Sequence, residues 1–260
     1  MKLLKRRSTK RKQSADPPVN TVEQLAARFP DALPWQLQIM ESVQAVTMTS
    51  PDRIFALINA VVYVCENGIP GDFVECGVWK GGSSAAIAKT LVHMKATDRT
   101  LWMYDTFDGM SQPTEADVDF LGQTADQLLD QQDIAESTSV WCRSPLDEVK
   151  ATMQATGYPQ NQIRYVQGRV EETLPQHSPD QLALLRLDTD WYESTKCELE
   201  VLFPNMLPGA VLIVDDYGHW QGCRKAVDEY FAHHNVSMLL NRIDYTGRIG
   251  IFCPQRGPNA

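Results

Sequence analysis

No CxxC pair occurs among the six cysteines, Cys65, Cys76, Cys142, Cys197, Cys223 and Cys253, which are scattered singly along 260 residues. That spacing excludes a disulfide frame and a cysteine-ligated zinc site, and predicts reduced, mostly buried thiols in a cytoplasmic protein. No run of about 18 apolar residues exists, so no membrane span is expected. The basic start of the chain is not followed by an apolar stretch, which does not fit a secretory signal. Internal repeats are absent, as are a GxGxxG loop and a nucleophilic serine or cysteine motif.

Positive charge is scarce outside the first residues. The chain carries 24 Lys and Arg against 33 Asp and Glu, a net charge of −9. Seven of the basic groups, Lys2, Lys5, Arg6, Arg7, Lys10, Arg11 and Lys12, fall before Ala15 with no acid among them. The remainder therefore holds 17 basic against 33 acidic residues, a net of −16. A body that acidic repels polyphosphate, so no nucleic-acid partner is expected. Residues 1–20 read as a disordered basic tail ending in the breaker stretch SADPPVN, with RNA or an anionic membrane as the other uses of such a charge run. With 43% hydrophobic and 22% charged residues the rest is ordinary globular sequence, long enough for its own core. It reads as a single domain over 21–260.

Helical and strand patterns alternate. TVEQLAARF has Thr21 as cap and Gln24 three residues on, before Pro30 and Pro34 interrupt it. TSPDRIFALINAVVYVCENG is a strong helix, with Ser50 as cap, Pro51 in the first turn, Asp52 on the dipole and Gly68 at the exit. Five strands follow: DFVECG, RTLWMYDTF, IRYVQG, LALLRLD and AVLIVDD. Between and after them, GGSSAAIAKTLVHM, WYESTKCELEVLF and CRKAVDEYFAHH have helical patterns. VSMLLNRI and GRIGIFCP close the chain as a strand pair around Thr246-Gly247. The alternation predicts an α/β protein with a doubly wound, mostly parallel seven-stranded sheet and one antiparallel edge strand. Its ligands would bind outside the carboxyl ends of the strands.

Two sets of residues fall at those ends. Gly77 turns the chain after the first strand, Gly81 and Gly82 remove side chains, and Ser83 and Ser84 open a helix whose free N–H groups favour anions. A plain turn and cap would use the same residues. Asp105 ends the second strand 28 residues past Gly77, where an acid commonly accepts bonds from a ribose diol or caps the next helix. Loop and acid together suit an adenosine-containing ligand, NAD and S-adenosylmethionine alike. The second set is acidic: Asp188 and Asp190 end the fourth strand, Asp215 and Asp216 the fifth. Carboxylates on adjacent strand ends repel unless a cation neutralises them, and all-oxygen ligands suit Mg²⁺ first and Mn²⁺ next. On that reasoning, replacing one of them by a neutral amide leaves the metal-free fold no less stable. The alternative is caps and solvated loop acids. Trp191, Tyr192, Tyr217 and Trp220 offer apolar walls for an acceptor or ordinary packing, and His219 is a further candidate ligand or base. Gln112 to Gln132, a polar stretch rich in Asp and Gln, is expected to form a mobile cover over the acceptor.

The segments MTSPDRIFAL, GDFVECGVWKGGSS, MYDTFDGM, LRLDTDWYEST and VLIVDDYGHWQGCRKAVDEY span Met48 to Tyr230, about 70% of the chain. Together they resemble the macrocin-type (TylF-like) O-methyltransferases, class I S-adenosylmethionine-dependent enzymes that tailor deoxysugars on macrolide and aminocoumarin antibiotics. The resemblance implies a Rossmann-like methyltransferase fold with extra N-terminal helices as cover, a requirement for Mg²⁺ and a homodimer. It implies that Glu75, Gly77 and Ser83 line the methionine part of the cofactor. It places Thr49 near the cofactor carboxylate, and Asp105 at the ribose with Thr106 and Phe107 beside it. Asp188, Asp215 and Asp216 would be the metal ligands, and Asp188 also the general base. The implied acceptor is a hydroxyl of a sugar or other vicinal diol on a small natural product, possibly glycosylated. A catechol-type O-methyltransferase, an NAD-dependent oxidoreductase and a catalytically silent dimeric scaffold are the competing readings.

Overall fold

Short apolar runs, each stopped by a glycine or an acid, form the strands of one sheet: β1 (Asp72–Cys76), β2 (Leu101–Asp105), β3 (Ile163–Gln167), β4 (Leu182–Leu187), β5 (Met206–Val214), β6 (Asn241–Arg242) and β7 (Arg248–Ile251). The computed structural model describes residues 20–131 and 141–254. The expected tail, apart from Asn20, lies outside them. The helices are α1 (Val22–Arg28), α2 (Pro34–Val43), α3 (Pro51–Glu66), α4 (Gly82–His93), α5 (Ala125–Asp130), α6 (Leu146–Gln154), α7 (Val170–Thr173), α8 (Tyr192–Leu202) and α9 (Gln221–His233).

The strand order is β3-β2-β1-β4-β5-β7-β6. Strands β3 to β5 run parallel, while β7 is antiparallel to both β5 and β6. This is the expected doubly wound sheet with a reversed edge. Strand β4 is buried along its whole length, as a central parallel strand covered on both faces must be. Alternate residues feed two cores. Phe73, Leu184 and Ile213 pack with α2, α3 and α4, whereas Val74, Leu185 and Leu212 pack with α8 and α9.

The local signals acted largely as expected. Thr21 and Gln24 form a capping box on α1, and the Ser50 hydroxyl accepts from the Arg53 backbone N–H to cap α3. Three expectations are corrected. Pro34 does not interrupt a helix but starts one, α2, because its fixed φ and missing N–H are harmless at the first position. VSMLLNRI supplies only two strand residues. Its Met238 and Leu239 instead cross the face of Gly250, where a Cβ would lie 2.8 Å from Leu239 O. A short edge strand also limits edge-to-edge pairing. None of the six cysteines forms a disulfide, but only Cys76 and Cys223 are fully buried and Cys253 is exposed. No helix among the described residues is long and apolar enough to cross a membrane.

Candidate active site

Register places the chemistry. Cys76 pairs with Tyr104 on one side and Leu187 on the other, and Leu187 pairs with Val214. The next residue of each strand is therefore a neighbour of the next: Asp105, Gly77, Asp188 and Asp215 stand side by side at the carboxyl edge. The ladder continues one bond further, through Gly77 N to Tyr104 O (2.9 Å), Asp188 N to Cys76 O (2.8 Å) and Asp215 N to Leu187 O (2.9 Å). Between β1 and β4 the strand order reverses, which is where such sheets open a crevice. Gly77 has φ 83°, and a Cβ there would lie 2.0 Å from Asp188 O, so only glycine fits this seam.

A cavity of about 380 Å³ opens over these ends. Thr49, Gly77, Ser83, Asp105, Thr106, Asp188, Asp215 and Asp216 all line it, together with Asp190 and His219. Of the expected site residues, Glu75 and Phe107 lie behind the wall rather than in it. Phe107 is core, and its backbone N–H binds Asp105 Oδ1 at 2.7 Å. Glu75 is buried, hydrogen-bonded by Ser84 Oγ and paired with Arg186 at 2.6 Å.

Asp105 ties the glycine loop to β2. Its Oδ2 accepts from the N–H groups of Val78 (2.6 Å) and Trp79 (3.0 Å). Burial pushes its pKa up, and the three backbone donors pull the other way. Gly81, at φ 84°, starts α4. The space in front of Gly82 is filled by the chain itself: a Cβ would meet Val46 O and Thr47 Cβ, both at 2.5 Å. Gly82 thus serves close helix packing, and it also lines the cavity. Ser83 Oγ reaches Thr49 Oγ1 at 3.3 Å, joining the segment before α3 to the start of α4.

Sequence reasoning missed the counter-charges of the acid cluster. Arg186, fully buried in β4, donates to Glu75 Oε1, Asp188 Oδ2 and Asp215 Oδ1 at 2.6 Å each, and to Thr49 Oγ1 at 3.0 Å. Arg53, from the first turn of α3, pairs with the other oxygen of Asp215 and with Asp244 at 3.1 Å. The signal for Arg186 was a lone charge in an otherwise apolar six-residue strand, on the face shared with Glu75. The acids are therefore neutralised in part by protein, which corrects the premise that only a metal ion can counter them.

Charge is still in surplus. Two guanidinium groups face the carboxyls of Glu75, Asp188, Asp190, Asp215 and Asp216. Burial pushes Asp188 up to about 8 against the pull of Arg186, with Asp216 raising it further. Burial and then Asp216 hold Asp190 well above the carboxylate range. Oxygens of Asp188, Asp215 and Asp216 lie within 4.8 Å of one another, and buried Asp216 Oδ2 has no hydrogen-bond partner among the described residues. Close oxygens, excess negative charge and an unsatisfied acceptor fit a hard divalent cation.

The four expected aromatic walls are mostly packing. Trp191 and Trp220 stack edge to face at 4.9 Å in the core, with Trp191 Nε1 bonded to Ser111 O, and only Trp220 reaches the cavity. Tyr192 and Tyr217 turn away to Glu229 and Asp228. Over its described part, 112–131, the expected cover carries the short helix α5. Buried Asp117 accepts from Tyr192 N (2.7 Å), Thr114 N (2.7 Å) and Thr114 Oγ1 (2.9 Å), fastening the insertion to the start of α8. Gln132 lies outside the described residues.

A profile of the family described as macrocin-O-methyltransferase (TylF) matches residues 26–249. The chain belongs to this family. It is an S-adenosylmethionine-dependent O-methyltransferase, and the oxidoreductase and silent-scaffold readings are set aside. Among curated proteins it is 35% identical over 218 residues to the Streptomyces olivaceus 8-demethyl-8-(2,3-dimethoxy-alpha-L-rhamnosyl)-tetracenomycin-C 4'-O-methyltransferase, covering 84% of this chain and 80% of that protein. It is 35% identical over 203 residues to the Streptomyces niveus demethyldecarbamoylnovobiocin O-methyltransferase, covering 78% of this chain and 74% of that protein. The solved structure of the O-methyltransferase NovP superposes with a TM-score of 0.68 at 32% identity, over 80% of this chain and 83% of that one.

Proposed function

We propose that this methyltransferase moves the methyl group of S-adenosylmethionine to a sugar hydroxyl of a small natural product, with Mg²⁺ bound at the acid cluster. One observation carries the reading: the glycine loop with Asp105 and the cluster of Asp188, Asp215 and Asp216 share one cavity across the β1–β4 seam. That the Streptomyces olivaceus relative is named for a 4'-O-methylation of a rhamnosylated compound supports the acceptor class.

Each part has a task. Gly77, Ser83 and Thr49 offer backbone and hydroxyl groups to the methionine end of the cofactor, and Asp105 takes the ribose with Thr106 beside it. Glu75 acts from behind, by holding Arg186 against the cluster. Asp188, Asp215 and Asp216 would hold the ion, which when bound lowers the pKa of a hydroxyl and orients it. Transfer itself is an in-line displacement, so the acceptor oxygen must approach from the face opposite sulfur at about 3 Å. A proton must leave that oxygen. Asp188 is one base, but its Oδ2 is held by Arg186 at 2.6 Å. Asp190 is the second candidate: it lines the cavity and lies outside the three-oxygen group. The homodimer implied by the family, and the cytoplasmic location expected from the scattered cysteines, are part of the same proposal.

The test is calorimetry with S-adenosylhomocysteine, followed by methyl transfer to a panel of glycosides and catechols with Mg²⁺ and with EDTA. Binding of S-adenosylhomocysteine, glycoside methylation and its loss in EDTA are expected. Undiminished transfer in EDTA would remove the metal, and catechol methylation alone would replace the acceptor class.

A further inference from the structure

Three exposed or half-exposed rings meet at the cavity mouth, on segments far apart in sequence. Phe120 lies on the turn of the insertion, His219 in the loop after β5, and Tyr245 on the turn between β6 and β7. Their centroids are 5.3 Å apart for Phe120 and His219, 5.9 Å for Phe120 and Tyr245, and 6.0 Å for His219 and Tyr245. Phe120 and Tyr245 are 54% and 53% exposed, whereas a large ring usually gains by burial. His219 and Tyr245 line the cavity itself, as do Asp190 and Asp216.

These rings stand on fixed backbone. Asp119, buried, accepts from Leu121 N and Gln123 N at 2.8 Å each, which pins the turn carrying Phe120. Asp244 accepts from Thr246 N (3.0 Å) and Gly247 N (2.8 Å), and Thr246 Oγ1 bonds Asp215 O at 2.7 Å, which pins the turn carrying Tyr245. Apolar surface held open on rigid turns beside a reaction cavity marks a recognition surface.

We propose that Phe120, His219 and Tyr245 form a stacking subsite for a flat, uncharged ring attached to the sugar being methylated. The inference rests on the proposed function, since it takes the sugar to lie over the acid cluster. Charge selects the occupant. The groups acting on Tyr245 are Arg53, Asp216 and Asp244, and Arg53 is already held by Asp215 and Asp244. A diphosphate at this mouth would face these carboxylates, and the other arginine lining the cavity, Arg169, pairs with Glu171 at 3.4 Å, whereas a neutral flat ring meets matching surface. The subsite therefore suits an assembled glycoside over a nucleotide-activated sugar.

The experiment compares three probes with one sugar: p-nitrophenyl α-L-rhamnopyranoside, methyl α-L-rhamnopyranoside and dTDP-L-rhamnose. Affinities are measured by calorimetry on the full chain with S-adenosylhomocysteine and Mg²⁺. The aryl glycoside is expected to bind about tenfold more tightly than the other two, and Phe120→Ala with Tyr245→Ala to erase that advantage. The affinity for S-adenosylhomocysteine should stay within about twofold, which shows that the variant is folded. Equal binding of aryl and methyl glycosides, preference for the nucleotide sugar, no binding of the aryl glycoside, or a variant that weakens aryl and methyl glycosides alike would each overturn the subsite. Failure of the wild type to bind S-adenosylhomocysteine would instead overturn the proposed function beneath it.

Discussion

Arg186 Nη2 and Asp215 Oδ1 are 2.6 Å apart and both side chains are buried. The other oxygen of Asp215 is taken by Arg53, so this carboxylate bridges two guanidinium groups. Asp216, its neighbour, has a buried oxygen without a partner. Amide substitutions should therefore separate. In EDTA, Asp215→Asn is expected to cost about 3 kcal/mol or more, because it leaves two buried cations under-compensated. Asp216→Asn should be neutral or stabilising, since it relieves like-charge repulsion. Urea unfolding of both variants checks the order, and equal stabilities would contradict it.

Arg186→Met should be the most damaging change in the cavity floor, by about 3–5 kcal/mol, because three acids lose a shared partner. Adding Glu75→Gln should recover part of the loss by removing the deepest orphaned charge. A double-mutant cycle of unfolding free energies reads this coupling. Strict additivity would mean that Glu75 and Arg186 do not support each other.

Proton linkage gives a metal-dependent sign. Asp188 is pushed up to about 8 by burial, above an ordinary value of about 4. The folded protein then holds an extra proton in that window, so the contribution of Asp188 to metal-free stability is full below about pH 4 and is lost as pH rises to about 8. A bound cation expels that proton, so Mn²⁺ affinity should rise over the same range. Calorimetry in two buffers of different ionisation enthalpy should show protons released on binding at pH 6 and fewer at pH 9. An affinity independent of pH would exclude the linkage.

Gly77→Ala should disturb both halves of the site at once. A positive φ costs an ordinary residue about 1–2 kcal/mol, and the new Cβ would press on the backbone carbonyl of Asp188. Loss of S-adenosylhomocysteine affinity together with Mn²⁺ affinity is expected in any folded fraction. Loss of one with the other intact would show that the seam is looser than its geometry.

The five parallel strands and the strand-end positions of Asp105, Asp188, Asp215 and Asp216 were legible because each depends on a local pattern: an apolar run, its stop and the acid that follows. Ser50 and Thr21 were legible as caps for the same reason. What stayed hidden is tertiary. Arg186 reads as one polar letter in a strand, and nothing nearby in sequence reveals Glu75 and Asp215 converging on it. Trp191 and Trp220 look like site walls by position, yet they pack on each other. Phe120 and Tyr245 carry no motif, and only folding brings them within 6 Å. Pro34 was misread because the same residue breaks a helix interior and starts a helix.

The seam between Gly77 and Asp188 leaves no room for a side chain, and its backbone bond is 2.8 Å. It works as a fixed gauge between the strand that presents the donor and the strand that presents the acids. A change of acceptor size is therefore not absorbed there. It falls to the turns that carry Phe120 and Tyr245, so recombined or evolved variants with new acceptors should vary those turns and keep β1 and β4 together as an inherited pair.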